Sequence, residues 1–335
     1  MNSRSSTGYR LAIVNPMTLV GSELKSILHE RGIAFQKITL LASAEEQRGA
    51  VTEVLDEVAL VQPISSEELE DQDLVFFCGP AEDNQPWIEL HEAADFIAID
   101  LSQPSTVDGI PIVAGVNDDS VRGNTLPIIS PHPAATPLAL LLNAIRRVAP
   151  IELCVSTVIQ PASEFGQSGI DELLKQTVSV LNVQSVPKQV FGRQLAFTLY
   201  PSVYGSRDES YVASQVRRVL NAEKLPLSIS IAQGTTFHGH TFSVWIKLAE
   251  NAQLEAVMEA LRASSSLDVS LEDDPASTIE AAGRDGVLIA RVSPDPQTDG
   301  AFWIWMVADN VRRSSALNAV LIAETVLERL KPVAN

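Results

Sequence analysis

The opening strand, turn and helix, Arg10 to Gly32, constrain the fold of this chain more than any other stretch. Arg10 to Val14 is a short aliphatic run of the kind found in a strand covered on both faces. After Asn15-Pro16-Met17-Thr18, apolar residues return at Leu19, Val20, Leu24, Ile27 and Leu28, one face of a helix that stops at Arg31-Gly32. That is the first unit of a nucleotide-binding α/β sheet. The pattern continues with a strand over Phe35 to Leu41, short strands within Val51 to Val61 and a buried strand from Leu74 to Cys78. A helix from Pro86 to Ala94, a strand from Phe96 to Leu101 and the loop Ser102-Gln103-Pro104-Ser105-Thr106 follow. Such alternation predicts an α/β fold with a Rossmann-like, doubly wound parallel sheet.

At 335 residues the chain exceeds one hydrophobic core, so a second domain is expected. Ile151 to Gln160 alternates as a strand, Gly166 to Leu181 reads as a helix, Arg193 to Tyr200 as a strand and Ser206 to Leu220 as an amphipathic helix. Leu227 to Gln233 and Thr241 to Leu248 have the period of half-buried strands, and Ser315 to Leu330 is the last helix. Strands at hairpin-like spacing predict an α+β domain with a mixed or antiparallel sheet. The expected boundaries are 1–131 together with 314–335 for the nucleotide-binding domain, and 132–313 for the substrate and dimerisation domain. The 24 basic and 42 acidic residues give a net charge of −18, which repels nucleic acid and anionic membrane. Met1 to Gly8 is polar and the apolar run Leu11 to Val14 is too short for a signal peptide or a span, so a cytoplasmic protein is expected. Cys78 and Cys154 lie far apart inside strand-like runs, the pattern of buried free thiols.

The stretch Ile128 to Leu138 reads as a strand end, a proline-rich turn and the start of a helix running to Ala149, with Thr136 near its start and Pro137 in its first turn. Helix starts present unpaired amides at the positive end of a dipole, a place suited to a nucleophile or an oxyanion. This one offers no cysteine, and Ser130 or Thr136 would need a base within reach. In the first turn of the chain, the three glycine positions of a dinucleotide fingerprint are Asn15, Thr18 and Gly21. Glu45 and Glu46 stand where a ribose would lie, able to accept its hydroxyls and to repel a 2′-phosphate. His238 and His240 would share a face if both lay on a strand, but no carboxylate or cysteine at useful spacing completes a metal site, so none is expected. His29 and His91 fall at helical positions and are expected at the surface.

These residues resemble the aspartate-semialdehyde dehydrogenase family over nearly the whole chain. Asp309-Asn310-Val311-Arg312-Arg313-Ser314-Ser315-Ala316-Leu317-Asn318-Ala319-Val320-Leu321-Ile322-Ala323-Glu324 is similar to the family's D-N-x-x-K-G-A-A-x-N-A-V-Q-I-A-E. Gln160-Pro161-Ala162-Ser163 is similar to its Q-A-x-S, Gly239-His240 to its G-H-S, and Ile128 to Thr136 to its N-P-N-C-S/T-T. The resemblance implies a homodimeric NAD- or NADP-dependent oxidoreductase of amino-acid biosynthesis. In that family a cysteine thiolate attacks the aldehyde, a histidine takes its proton, hydride passes to the nicotinamide and phosphate releases the acyl group. By resemblance the catalytic positions are Ala134 for the nucleophile, Gln160, and His240 for the base. The substrate pocket falls on Thr106, Gln215 and Gln233, and the cofactor contacts on Asn15, Thr18, Gly21, Ser43 and Asn310.

Several of these positions depart from the family. Ala134 has no nucleophilic atom, and Pro133 replaces the asparagine before it. Gln233 replaces a carboxylate-binding arginine, Gln215 a glutamate, Thr106 a phosphate-binding arginine and Glu45 the arginine of a 2′-phosphate site. Pro16 removes an amide from the phosphate turn, so NADP is expected to bind poorly and NAD weakly. The leading expectation is a dimeric paralogue without the phosphorylating reaction that binds a small metabolite or a protein. The alternatives are an oxidoreductase using His240 and Gln160 with no covalent cysteine step, and an interaction protein whose dimer surface matters more than its cleft.

Overall fold

The computed structural model describes residues 8–33, 35–121, 126–202, 206–249, 251–270 and 276–330, so the polar Met1 to Thr7 lies outside them. In chain order the first elements are β1 (Tyr9–Val14), α1 (Leu19–Arg31), β2 (Phe35–Ala42), β3 (Val51–Val54), β4 (Glu57–Leu60), β5 (Gln62–Pro63) and α2 (Ser66–Glu70). Next come β6 (Leu74–Phe77), α3 (Ala81–Ile88), β7 (Ile97–Asp100), β8 (Ile110–Pro111), β9 (Ile128–Ile129), α4 (Ala135–Ile145), β10 (Ile151–Gln160) and α5 (Gly166–Leu181). The remainder are β11 (Tyr200–Pro201), α6 (Ser206–Val219), β12 (Leu227–Gln233), β13 (His240–Leu248), α7 (Leu254–Arg262), β14 (Leu267–Val269), α8 (Thr278–Ala281), β15 (Val287–Pro294), β16 (Ala301–Ala308) and α9 (Leu317–Leu330). They form two compact units, Met1–Ser130 with Ala316–Asn335, and Pro131–Ser315.

In the first unit seven strands lie in the order β5-β2-β1-β6-β7-β9-β8, and every neighbouring pair is parallel. The period of two sorts β1 onto both faces: Leu11 and Ile13 pack with Leu24, Ile27 and Leu28 of α1 and Val320 and Ala323 of α9, whereas Ala12 and Val14 pack with Leu69, Ile88 and Phe96. Helices on both faces make the sheet doubly wound. Thr18 caps α1, its Oγ1 accepting from the Gly21 amide at 3.0 Å and donating to the Asn15 carbonyl at 3.0 Å. Thr18→Ala is therefore expected to cost about 1 kcal/mol and Thr18→Ser much less, read as urea midpoints of the first unit.

The second unit has a mixed sheet, in the order β11-β12-β10-β13-β16-β15-β14. The β10–β12 and β14–β15 pairs are parallel, and β10–β13, β13–β16, β15–β16 and β11–β12 are antiparallel. Its uncovered face carries an apolar row in register, Val155 opposite Trp245 and Trp245 opposite Trp303, with Val155 and Trp303 both exposed.

Five details differ from the sequence-based expectations. The helix from Ala135 ends at Ile145 instead of Ala149, because Pro150 disfavours helical geometry at Ala149 and the chain tightens through the bond from Val148 N to Ile145 O. The helix placed at Pro86 to Ala94 runs instead from Ala81 to Ile88 and holds Pro86 inside it, burying Ala81, Asn84 and Ile88 on one face. Arg193 to Tyr200 is not a strand before Tyr200. Leu195 N and Ala196 N donate to the Gln176 side chain, and Phe197 has φ 61°, so those amides never reach a sheet. His238 precedes β13 across Gly239, whose φ of 86° breaks the alternation, so the two histidines share no strand face. His91 is half-buried, its Nδ1 3.0 Å from the Ile88 carbonyl, whereas His29 is exposed.

Candidate functional site

Strand directions gather the second unit's polar residues at one edge of its sheet. Gln160 ends β10 opposite Gln233, which ends the parallel β12. β13 runs antiparallel to β10 and begins at His240, which pairs with Ala308 at the end of β16, just before Asp309 and Asn310. The turn after β10 is a short 3₁₀ helix, Ala162–Phe165, fastened by bonds from Ala162 N to Thr236 O (2.8 Å) and from Ser163 N to Phe237 O (3.0 Å). It places Glu164 between two histidines. His132, in the loop before α4, has its Nε2 3.7 Å from Glu164 Oε2, and His240 Nε2 lies 3.7 Å from Glu164 Oε1.

Burial governs the charges of these three groups. It pushes the Glu164 carboxyl up to about 7, with Asp208 adding to the rise and the Asn310 hydrogen bond holding it back. It lowers the His132 imidazole to about 4, and together with the neighbouring His132 it lowers His240 well below its ordinary value. Two neutral imidazoles therefore flank a carboxyl that titrates near neutrality. His132 Nδ1 accepts the Ala134 amide at 3.1 Å, so its own proton sits on Nε2, toward Glu164. His240 is fully buried, and among the described residues neither of its ring nitrogens has a hydrogen-bond partner. Asn310 ties the arrangement together. Its Nδ2 donates to Glu164 Oε1 (2.9 Å) and Ser163 Oγ (2.9 Å), and its Oδ1 accepts the Gly239 amide (2.9 Å).

Ala134 is buried at the N-cap of α4. The amides that a helix start would offer an oxyanion are occupied by His132: Ala134 N bonds its Nδ1, and Ala135 N (2.7 Å) and Thr136 N (3.3 Å) bond its carbonyl. Pro137 has none. Thr136 Oγ1 donates to the Ser314 carbonyl. The glutamines are likewise engaged with their neighbours. Gln160 Nε2 donates to Gln233 Oε1 (2.8 Å), Gln233 donates to the carbonyls of Gln160 and Gly234, and Gln215 accepts the His132 amide (2.7 Å) while donating to Tyr211 (2.8 Å). Both cysteines are free and buried, their thiols pushed up to about 12. Among the described residues no group of three His, Cys, Asp or Glu side chains is arranged to hold a metal ion.

In the first unit, Asn15, Thr18, Gly21 and Ser43 do gather at the β1–α1 turn. Asn15 Oδ1 accepts the amides of Ser43 and Ala44, and its Nδ2 donates to Ser43 Oγ (2.7 Å), the Cys78 carbonyl and Asn84. A Cβ on Gly21 would lie 2.7 Å from the Asn15 carbonyl, which explains the glycine there. Thr106 sits on the exposed loop after β7. The turn differs from a glycine loop in the amides it can offer a pyrophosphate. Met17 N is bonded to Gln47, Thr18 N to Asn15 and Gly21 N to Thr18, and Pro16 has no amide. After β2 stands Ala42-Ser43-Ala44-Glu45-Glu46, with Glu45 at the position of the family's 2′-phosphate arginine and the first arginine of the loop at Arg48.

A parallel nucleotide-binding sheet joined in sequence to a mixed-sheet unit with histidine and glutamine at its strand ends is the architecture of a two-domain dehydrogenase. The chain belongs to the semialdehyde dehydrogenase family: residues 142–313 match its dimerisation domain and residues 10–123 its NAD binding domain. It is 29% identical over 330 residues to a USG-1 protein homolog of Pseudomonas aeruginosa, covering 95% of this chain and 97% of that one. It is 28% identical over 332 residues to an aspartate-semialdehyde dehydrogenase of Rickettsia conorii, covering 95% and 98%. A crystal structure of aspartate semialdehyde dehydrogenase II of Vibrio cholerae, complexed with ASA, matches with a TM-score of 0.91 at 25% identity, over 97% of this chain and 100% of that one. The dimerisation domain supports a homodimer. Among the described residues no helix is long and apolar enough to cross a membrane.

His132 and Glu164 were not expected from the sequence to lie beside His240. The signals available were a histidine between two prolines ahead of an apolar helix, and an acid directly after Gln160-Pro161-Ala162-Ser163.

Proposed function

We propose that this chain is a cytoplasmic, homodimeric member of its family that binds a small ligand in its second unit and does not carry out phosphorylating dehydrogenation of an aldehyde. The observation that carries this reading is the α4 start, where Ala134 offers no nucleophile and His132 occupies the amides that would hold an oxyanion. No other thiol substitutes. Cys154 lies six residues before Gln160 on β10, about 20 Å away at strand rise, and is protonated at neutral pH. In this reading Gln160 and His240 bound the ligand site, Gln215 and Gln233 shape it, and Ala134 is the vestige of the nucleophile. The apolar row Val155, Trp245 and Trp303 suits the dimer face.

Pure protein with aspartate semialdehyde, inorganic phosphate and NADP is expected to give no change in nicotinamide absorbance. Ala134→Cys is expected to leave it inactive, because the amides remain occupied by His132 and the substrate counter-charges are missing. Turnover by the pure wild-type chain that is lost in His240→Ala would overturn the reading. A second reading, an oxidoreductase that uses His240 and Gln160 with no covalent step, is favoured by the unpartnered nitrogens of His240. It requires nicotinamide binding, and calorimetry with NAD and NADP at millimolar concentration decides against it if no heat is seen.

A further inference from the structure

We propose that Glu164 and His240 form a proton-transfer pair, positioned by His132 and Asn310, that acts on a small ligand. The geometry carries this. Three ionisable side chains from three separate segments, the loop before α4, the 3₁₀ turn and the start of β13, meet with both imidazole Nε2 atoms 3.7 Å from the two oxygens of one carboxyl. That separation is a little under 1 Å beyond hydrogen-bond length, a gap of the size that catalytic pairs close when a ligand binds. A purely structural trio would satisfy its polar atoms, yet among the described residues both nitrogens of the wholly buried His240 lack partners.

The flanking bonds give each member a role. The Ala134 amide fixes His132 with its proton on Nε2, so His132 donates toward Glu164 Oε2 and does not accept from it. Asn310 Nδ2 holds Oε1 from the other side. The carboxyl proton on Oε1 then has one acceptor, His240 Nε2. In the transfer, Glu164 Oε1 releases its proton to His240 Nε2 while His240 Nδ1–H releases its own to the ligand. Glu164 becomes a carboxylate, His240 stays neutral with its proton on Nε2, and the ligand gains one proton. The return step reverses each movement. Burial keeps the carboxyl protonated near neutrality, the condition for a donor of this kind.

The pair is tested on the full-length protein with labelled histidine nitrogen and glutamate carboxyl carbon, titrated by NMR between pH 4 and 9 with no ligand, aldehyde or nicotinamide present. Failure here therefore leaves the dehydrogenase question untouched. The expected result is that the Glu164 carboxyl and both His240 nitrogens move together through one midpoint near neutrality, with the His240 signals remaining those of a neutral ring. In Glu164→Gln the His240 step is lost, and in His132→Asn the shared midpoint moves. Different midpoints for the carboxyl and for His240 in the wild-type chain overturn the proposal, and so does a His240 step that survives Glu164→Gln. The first comparison needs no variant, so it stands even where a substitution unfolds the protein.

Discussion

Gly169→Ala is expected to destabilise the second unit by about 2 to 4 kcal/mol, although alanine is the better helix former. Gly169 lies in the first turn of α5, where the helix runs against the 3₁₀ turn that carries Glu164. A Cβ there would stand 2.2 Å from the Ala162 carbonyl oxygen and 2.8 Å from Phe165 Cβ. The first of these neighbours is backbone and cannot rotate away. Either α5 or the segment Ala162–Phe165 must move by roughly 1 Å to restore ordinary contact distance. That segment is fastened at Ala162 N and Ser163 N, so the displacement strains both bonds and shifts Glu164 from between its histidines. Relief of glycine's conformational entropy returns about 0.5–1 kcal/mol, too little to offset the clash. Lys175→Ala, at an exposed position of the same helix, is the control and is expected to be neutral. Urea unfolding of both variants checks the prediction. A Gly169→Ala protein as stable as the wild type would show that the helix and the turn are not packed as described.

The same segment shows how far the site could be read from sequence. β1, α1, β2, β10, β12 and the start of β13 were legible because each carries its own period, two or 3.6, within a short window. The convergence of Gln160, Gln233, His240 and Asn310 was available only through family resemblance, since it depends on strand order and direction across some 150 residues. Glu164 carries no local signal, for a physical reason. An acid after a serine in a turn is ordinarily a solvated charge, and nothing local announces that Phe165, Asn310 and two histidines enclose it. His132 was masked in the same way by the prolines on either side, which mark a turn and say nothing of where the ring between them points. Arg193 to Phe197 failed differently. Its composition suits a strand, but the Gln176 side chain takes the amides of Leu195 and Ala196 that a sheet would need. Side chains that stand in for a missing backbone partner are invisible to periodicity.

Comparing the pH dependence of folding between the wild type and Glu164→Gln isolates the contribution of Glu164. Its carboxyl is raised by burial from an ordinary 4.5 to about 7 in the folded protein. Below pH 4.5 the folded and unfolded chains both hold this proton, and the group does not penalise folding. Between 4.5 and 7 the unfolded chain ionises while the folded chain does not. The folded state therefore loses stability as pH rises, to a total of about 3 kcal/mol above pH 7. His132 acts with the opposite sign. Its ring is lowered from 6.5 to about 4, so its contribution is lost as pH falls from 6.5, and the lowered His240 adds to that fall. In the wild-type chain these slopes oppose one another between about pH 4.5 and 6.5, so a single stability profile hides both. The comparison with Glu164→Gln separates them, because the histidines, Asp208 and the buried Asp100 remain in both proteins. The stability of the variant minus that of the wild type is expected to increase by about 3 kcal/mol from pH 4.5 to 7.5, measured as urea midpoints at a series of pH values. A difference that stays flat across this window would mean that Glu164 ionises like a solvated acid, and that the two imidazoles beside it do not enclose it.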